Sequence, residues 1–441
     1  MNTGNKVTLS GIVTWLICTF FFMYEFVLRT LLGTFQSPMM HDLQLTPVQF
    51  AFLSTTVFQL IYGIMQIPVG ILTDWFGLKK ILLGASIICA IANLGFSMSN
   101  HYVAVTLFRM LMGLGASCGF ICLLIAIYDW MPQKNTGLFI GISQFIGTIG
   151  PMFAAGPLNT LLYQSNISWR DVFLNLALIG VVITIFVFRF VENNRRQSDK
   201  FIILSHSTSL VDDLIYLIKK KQIWCIAIYS AFIYFSIEYL TENEGVAFLV
   251  EKGFSSTFSS YMITLVWLGF AASCPLTGYF SDKIQRRKPF MIVSSILVLL
   301  SLFGIIYLPL NQAGLSIGFC LLGIGAGGSS IGFAIMAEQC KENSLAAGLA
   351  INNTLIVITS SLLAPLIGFV LSYTSSGGTV RLINYQEAFG SMVYIAIIAV
   401  TVVFFGIKET FCKSTCSNTI LDAKKSQIMD DILITEQSQH D

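Results

Sequence analysis

The sequence predicts an all-α membrane protein made of two pseudo-symmetric six-helix bundles around a central cavity. Composition is the first reason: 55% of the 441 residues are hydrophobic and 11% charged, whereas soluble domains carry about 25% charged residues. The second is the number of apolar stretches. A hydrocarbon core of about 30 Å takes roughly 20 residues at 1.5 Å rise each. Twelve stretches qualify, at 11–33, 47–71, 81–98, 102–128, 137–162, 171–191, 222–240, 257–280, 289–308, 313–337, 345–373 and 388–407. The third is an internal repeat. Gly70-Ile-Leu-Thr-Asp74-Trp-Phe-Gly77-Leu-Lys79-Lys80 returns, loosened, as Gly278-Tyr-Phe-Ser-Asp282-Lys-Ile-Gln-Arg286-Arg287-Lys288, with the two aspartates 208 positions apart.

Each stretch is read as a helix because only a helix satisfies its own backbone within lipid. The first is too long for a cleaved leader and lacks a small-residue cleavage site. With both termini in the cytoplasm, that side collects 20 of the 25 Lys and Arg residues; the other side holds Arg170, Lys252 and Arg381, and Arg29 and Arg109 fall inside stretches. This asymmetry is the positive-inside pattern. The net charge of +2 is therefore a topology signal, and nucleic acid is not an expected partner. The expected organisation is an N-terminal bundle over 1–191, a cytoplasmic linker over 192–221, a C-terminal bundle over 222–408 and a disordered tail over 409–441. Within the linker, Ser209 is placed to cap a helix whose Leu210, Leu214, Leu217 and Ile218 form one apolar stripe for the headgroup layer.

The repeat extends beyond the loops. Leu111-Met-Gly113-Leu-Gly115-Ala116 corresponds to Leu321-Leu-Gly323-Ile-Gly325-Ala326 at an offset of 210, and Pro157-Leu158 to Pro365-Leu366 at 208. Two similar halves with charged turns between spans are the plan of a secondary carrier. Most of the ten cysteines lie within stretches and read as small packing residues. Cys412 and Cys416 lack a second ligand pair, so no metal, disulfide or cofactor is expected.

At this point the chain resembles the major facilitator superfamily, over about 11–407. Gly70, Leu72, Asp74, Gly77 and Lys79 fill the family's loop signature, although Trp75 and Leu78 stand where basic residues are usual. Arg109 with Gly113, Gly115 and Ala116 is similar to its fourth-helix motif, and Trp169-Arg170 precedes the sixth helix as is typical. Tyr24-Glu25 and Gln44-Leu-Thr46-Pro-Val-Gln49-Phe50 look like the lysosomal dipeptide-transporter branch. The fifth helix has Gly150-Pro151-Met-Phe-Ala154-Ala155 in place of the antiporters' Gly-Pro-x-x-Gly-Gly, which favours uptake over efflux. The resemblance implies alternating access by two rocking bundles. It also implies that Asp74 faces the start of the eleventh helix near Leu345, and Asp282 that of the fifth near Gly137. A carboxylate there sits at the positive end of a helix dipole. Gly70, Asp74, Gly77, Lys79, Lys80, Gly278, Asp282, Arg286 and Arg287 are thus the expected cytoplasmic gate.

The charges inside the stretches point to the coupling site, because each costs about 2.5–3.5 kcal/mol at bilayer centre on insertion scales. Glu25 and Arg29 lie one turn apart on one face, as do Glu238 and Glu242. The first and seventh helices line the family's cavity, where these groups are expected to meet. Glu25 and Arg29 either neutralise one another or form part of the site. Arg109 either partners Glu25 or serves solute and proton. Glu242 and Glu244, near the outer end of their stretch, read as interfacial acids, with Glu238 the better candidate. Gln59, Gln66, Gln144, Asn352 and Asn353 are neutral partners for a solute or for neighbouring helices. The coupling set is therefore Glu25, Arg29, Arg109, Gln144, Glu238 and Asn353. The expected activity is proton-coupled import of an amino acid, dipeptide or carboxylate by a monomer in a bacterial inner membrane. Efflux by the same fold, or a sensor without transport, are the alternatives.

Overall fold

The computed structural model describes residues 8–131, 136–165, 167–193, 217–340, 345–375 and 379–413. Twelve helices in it are long and apolar enough to cross a membrane: Leu9–Thr34, Pro47–Gln66, Leu78–Met98, Tyr102–Ile127, Phe139–Leu161, Trp169–Phe190, Lys221–Glu242, Ser256–Ile284, Lys288–Tyr307, Gln312–Glu338, Gly348–Thr374 and Leu382–Gly406. They coincide with the twelve stretches to within a few residues, since the hydropathy pattern that selects them is local. No strand occurs among the described residues. Of the expected linker stripe, Leu210 and Leu214 lie outside the described residues, Ile218 is exposed and Leu217 is buried in the second core, where it is not available to the headgroup layer. The tail from 414 also lies outside them, whereas Glu409 at its expected start accepts hydrogen bonds from the backbone of Arg287 and Lys288, both at 2.9 Å.

Two hydrophobic cores form, one per half. Phe21, Leu28, Phe58, Phe96, Met112 and Phe173 belong to the first; Ile226, Tyr229, Val266, Val298, Phe319 and Phe389 belong to the second. Large apolar side chains on the perimeter, such as Phe188, Leu300 and Phe405, are exposed and form the lipid-facing surface expected of a bundle in a bilayer. Glycines let helices of one half touch: a Cβ on Gly113 would come within 2.5 Å of the Phe58 carbonyl, and one on Gly323 within 2.1 Å of that of Val266. These are the repeat's own glycines, so the fold obeys the sequence symmetry.

Irregularities also pair. The fourth span breaks between Ala116 and Cys118, and the tenth between Ala326 and Ser329. Short helices Gln36–Leu43 and Gly245–Glu251 follow the first and seventh spans. The second span carries a π-helical turn at Phe52–Thr56, of the kind that frees backbone carbonyls and collects at functional sites. Gly77, at φ +82°, closes the second span and starts the third, a backbone position that a side chain would strain.

The halves meet at the face opposite the start of the first span and the end of the twelfth; the other face carries Lys80, Lys283 and Arg286 (the basic face). Near the opposite face, Thr56 Oγ1 donates to the Ser361 carbonyl at 2.7 Å and Thr264 Oγ1 to that of Met152 at 3.0 Å. Toward the basic face, a Cβ added at Gly70, Gly141 or Gly278 meets nothing within 4 Å.

Candidate functional site

Gly33 and Thr241 bring the first and seventh spans together, with room for only hydrogen at Gly33, whose Cβ would stand 2.1 Å from the Thr241 carbonyl oxygen. One turn before Gly33, Arg29 meets the two carboxylates that flank Thr241 on the seventh span. Arg29 Nε donates to Glu242 Oε1 at 3.0 Å, and the same guanidinium pairs with Glu238. From the second span, Gln59 Nε2 and Thr55 Oγ1 donate to Glu242 Oε2 at 2.9 and 3.3 Å. Asn243 donates to Thr55 at 2.7 Å and accepts from Ser54 at 2.5 Å. Ser360 of the eleventh span donates to Glu238. Arg29, Glu238 and Glu242 are 6%, 0% and 1% exposed. Tyr234 and Phe26 stand 5.8 and 6.0 Å from the guanidinium carbon, and Trp267 lies beside both rings. The result is a dry ion cluster spanning the two halves.

Several expectations are corrected by this geometry. Glu242 and Glu244 are not interfacial acids: both are buried, at 1% and 2% exposure, and Glu242 is the hub of the cluster. Arg29 does not neutralise Glu25, its neighbour one turn away; it reaches across to the seventh span. The cluster also sits higher than a central site, because Arg29 lies five residues from the end of the first span and Glu242 ends the seventh. It forms the layer that closes the opposite face.

Glu25 faces its own half. Its Oε1 accepts from Tyr62 at 3.5 Å, Oε2 has no hydrogen-bond partner, and the side chain is 1% exposed. Arg109 does not partner Glu25 either. Its guanidinium donates to the carbonyls of Leu28 at 2.6 Å, Arg29 at 3.2 Å, Leu53 at 3.3 Å and Ser54 at 2.8 Å. The latter two belong to the π-helical turn Phe52–Thr56. With Phe58 stacked 4.4 Å away, Arg109 staples the first, second and fourth spans and thereby orients Arg29.

Below this layer, Asn353 Nδ2 donates to Gln66 Oε1 at 3.1 Å between the second and eleventh spans, and Phe120 meets Phe333 between the fourth and tenth at 6.5 Å. Gln144 is half-buried on the fifth span. Asn352 is fully buried with both amide atoms unpartnered.

At the basic face, the start of the fifth helix that Asp282 is expected to face lies outside the described side chains. Asp282 is exposed and pairs with Arg287 of its own half at 2.6 Å, while Arg287 also holds Glu338 of the tenth span at 3.0 Å. The Glu338 partner was invisible in the sequence because it comes from another helix. Arg286 is exposed beside Phe411. In the first half, Asn193 packs on Gly77 and accepts from the Lys79 backbone at 2.9 Å; Lys80 is exposed. The side chains of Asp74, Gly137 and Leu345 lie outside the described ones. No cluster of metal-binding side chains occurs among the described residues.

The sequence profile of the Major Facilitator Superfamily matches residues 15–243 and 245–413. The chain belongs to this superfamily. It is 24% identical over 311 residues to an uncharacterized transporter of Bacillus subtilis, covering 64% of this chain and 70% of that one. To the hexuronate transporter of the same bacterium it is 21% identical, covering 56% and 58%. To the hexose-6-phosphate:phosphate antiporter of Salmonella typhimurium it is 22% identical, covering 58% and 60%. It thus spans about six tenths of the length of the last two relatives. Among solved structures, a bacterial homologue of the human lysosomal transporter Spinster, inward-facing and unoccupied, superposes with a TM-score of 0.74 at 16% identity, covering 90% of this chain and 97% of the other. The D-xylose–proton symporter gives 0.73 at 14%, covering 91% and 99%. At such identities the likeness is one of fold, two six-helix halves.

Proposed function

We propose that this superfamily member is a proton-coupled carrier that imports a small polar or anionic organic solute, such as an amino acid, dipeptide or carboxylate, by alternating access. The observation that carries the proposal is the buried Arg29–Glu238–Glu242 cluster joining the two halves at the closed face. One cation faces two carboxylates, so the trio carries an excess negative charge unless a proton or a cationic solute group joins it. A buried ion group is strongly destabilised when one partner leaves. Protonation or solute binding here therefore shifts the balance between closed and open states, the differential interaction that a population shift requires.

Glu25 is the proton carrier in this reading, since it is buried, makes no direct ion pair among the described residues and has one carboxylate oxygen without a hydrogen-bond partner. Arg109 positions Arg29 and leaves the transported charge alone. Gln66, Gln144 and Asn353 offer neutral hydrogen bonds to a solute arriving from the basic face. That face is the cytoplasmic one in this proposal, given its 20 basic residues, and the membrane is a bacterial inner membrane. Asp74, Asp282, Arg286 and Arg287 belong to the gate on that side. Two relatives are named for hexuronate and hexose phosphate, both organic anions, and a structural neighbour for proton symport, which supports this class of activity.

Reconstitution tests the proposal. In vesicles loaded at pH 7.5 and diluted to pH 6, labelled amino acids, dipeptides and carboxylates are screened for accumulation against their gradient. Uptake that collapses with a protonophore, and that Glu25→Gln abolishes while solute exchange survives, is the expected result. Outward exchange driven by the same gradient would favour efflux instead, and absence of flux for every class would overturn the reading.

A further inference from the structure

The repeat maps residue n of the first half near residue n + 208 of the second, as for Asp74 and Asp282. Two contacts across the halves join residues related by this same offset. Gly33 touches Thr241, and Gln36 Nε2 donates to Glu244 Oε2. Equivalent residues that touch one another lie on the pseudo-twofold axis, which therefore leaves the opposite face through these pairs. Everything that opens this face must part Gln36 from Glu244.

The chemistry of the pair is incomplete as an amide and a carboxylate. Glu244 Oε2 accepts from Gln36 and also from the Tyr385 hydroxyl of the twelfth span at 3.3 Å. Glu244 Oε1 and Gln36 Oε1 are both buried with no hydrogen-bond partner. The bonded pair thus carries one orphan acceptor on each partner, and an unmet buried polar atom costs about 1–3 kcal/mol. A carboxylic acid and a primary amide are complementary in the missing respect. With Oε1 protonated, the acid donates O–H to the amide oxygen while the amide donates N–H to the other acid oxygen, and both orphans are met.

From this geometry we propose that Glu244 binds a proton in the closed state and that the resulting acid–amide pair with Gln36 is a proton-dependent latch on the pseudo-twofold axis of the opposite face. The proton comes from solution, bonds to Oε1 and is shared with Gln36; nothing else is transferred. Among the described residues, no cation bears on Glu244. The groups bearing on Glu244 are Gln36 from the first half, Tyr385 from the twelfth span and Tyr239 one turn earlier on its own segment. Glu251 acts on the far side of Tyr385, and Glu242 is turned toward Arg29. Burial pushes the Glu244 carboxyl up to about 7, against the lowering effect of the Gln36 and Tyr385 bonds.

The sign follows. A proton bound more tightly in the closed state favours closure below the closed-state pKa, and that preference is lost as pH rises through about 7. Acid on the opposite side thus shuts the gate behind an entering proton, which deepens the symport reading above by adding a proton site apart from Glu25.

The test measures distance, not transport, so its outcome is independent of whether a solute has been found. Spin labels on cysteines introduced at the exposed His41 and Val250, one per half, report closure in vesicles between pH 5 and pH 9. The closed-to-open ratio of the labelled parent is expected to rise by up to tenfold per unit of acidification across the titration of Glu244. Glu244→Gln, whose amide supplies the missing donor permanently, is expected to stay closed at every pH. Gln36→Met, which removes the amide, is expected to lose acid-induced closure. A parent distance insensitive to pH, or the parent's response persisting in Glu244→Gln or in Gln36→Met, would overturn the proposal.

Discussion

Replacing Arg29 by Gln removes the one cation from a pair of carboxylates that are 0% and 1% exposed. Breaking a buried ion pair from one side costs about 3–5 kcal/mol, and the local partners decide where in that range the loss falls. Glu242 keeps Gln59 and Thr55 on Oε2, so its share is the smaller one. Glu238 keeps, among the described residues, the Ser360 hydroxyl alone and bears most of the loss. In the opened state water reaches both carboxylates and the cost disappears, so the variant destabilises the closed opposite face selectively. At about 1.4 kcal/mol per decade, the closed-to-open ratio falls by roughly a hundredfold to several thousandfold. The assay is the distance between His41 and Val250 by spin-label spectroscopy. Arg29→Gln should move the distribution to the longer, open value, while the triple replacement Arg29→Met, Glu238→Met, Glu242→Met should restore the short one, because an apolar cluster of similar volume carries no unpaired charge. A short distance retained in Arg29→Gln alone would refute the claim that this cluster holds the face shut.

Three further outcomes follow from the same geometry. Arg109→Met removes the donors to four backbone carbonyls. It should lower thermal stability in detergent by several kcal/mol's worth of melting shift, with Arg109→Lys failing to rescue it, because one ammonium cannot span four carbonyls. Gly33→Ala puts a methyl 2.1 Å from the Thr241 carbonyl oxygen and should open the opposite face without unfolding the protein, read as faster thiol labelling of a cysteine placed at Ser54. Asp42 accepts from Trp169 Nε1 at 3.0 Å and from Arg170 at 2.8 Å, bonds that hold its carboxyl below its ordinary value of 3.8. A depressed folded-state pKa gives stability that is present above the ordinary value and lost as pH falls below it. Asp42→Asn should therefore remove part of the acid sensitivity of melting between pH 5 and pH 3, which differential scanning in detergent would detect.

Legibility differed by scale. Helix number, approximate span limits and the two-half plan were readable because hydropathy over some twenty residues and a 208-residue repeat are properties of the chain alone. Arg29, Glu238 and the equivalence of the halves were readable too, since an ionisable side chain in lipid demands a partner. What the sequence left open was partner choice. Arg29 and Glu25 share a helical face, yet Arg29 bonds to Glu238 and Glu242 more than two hundred residues away. Arg109 serves four backbone carbonyls, two of them in a π-turn that no residue pattern announced. Asp282 turned to Arg287 of its own half. Spacing along one helix gives the angle between side chains on that helix. How each helix is rotated about its axis, and how deep it sits against its neighbours, is set by packing between distant segments, and only the assembled bundle decides it.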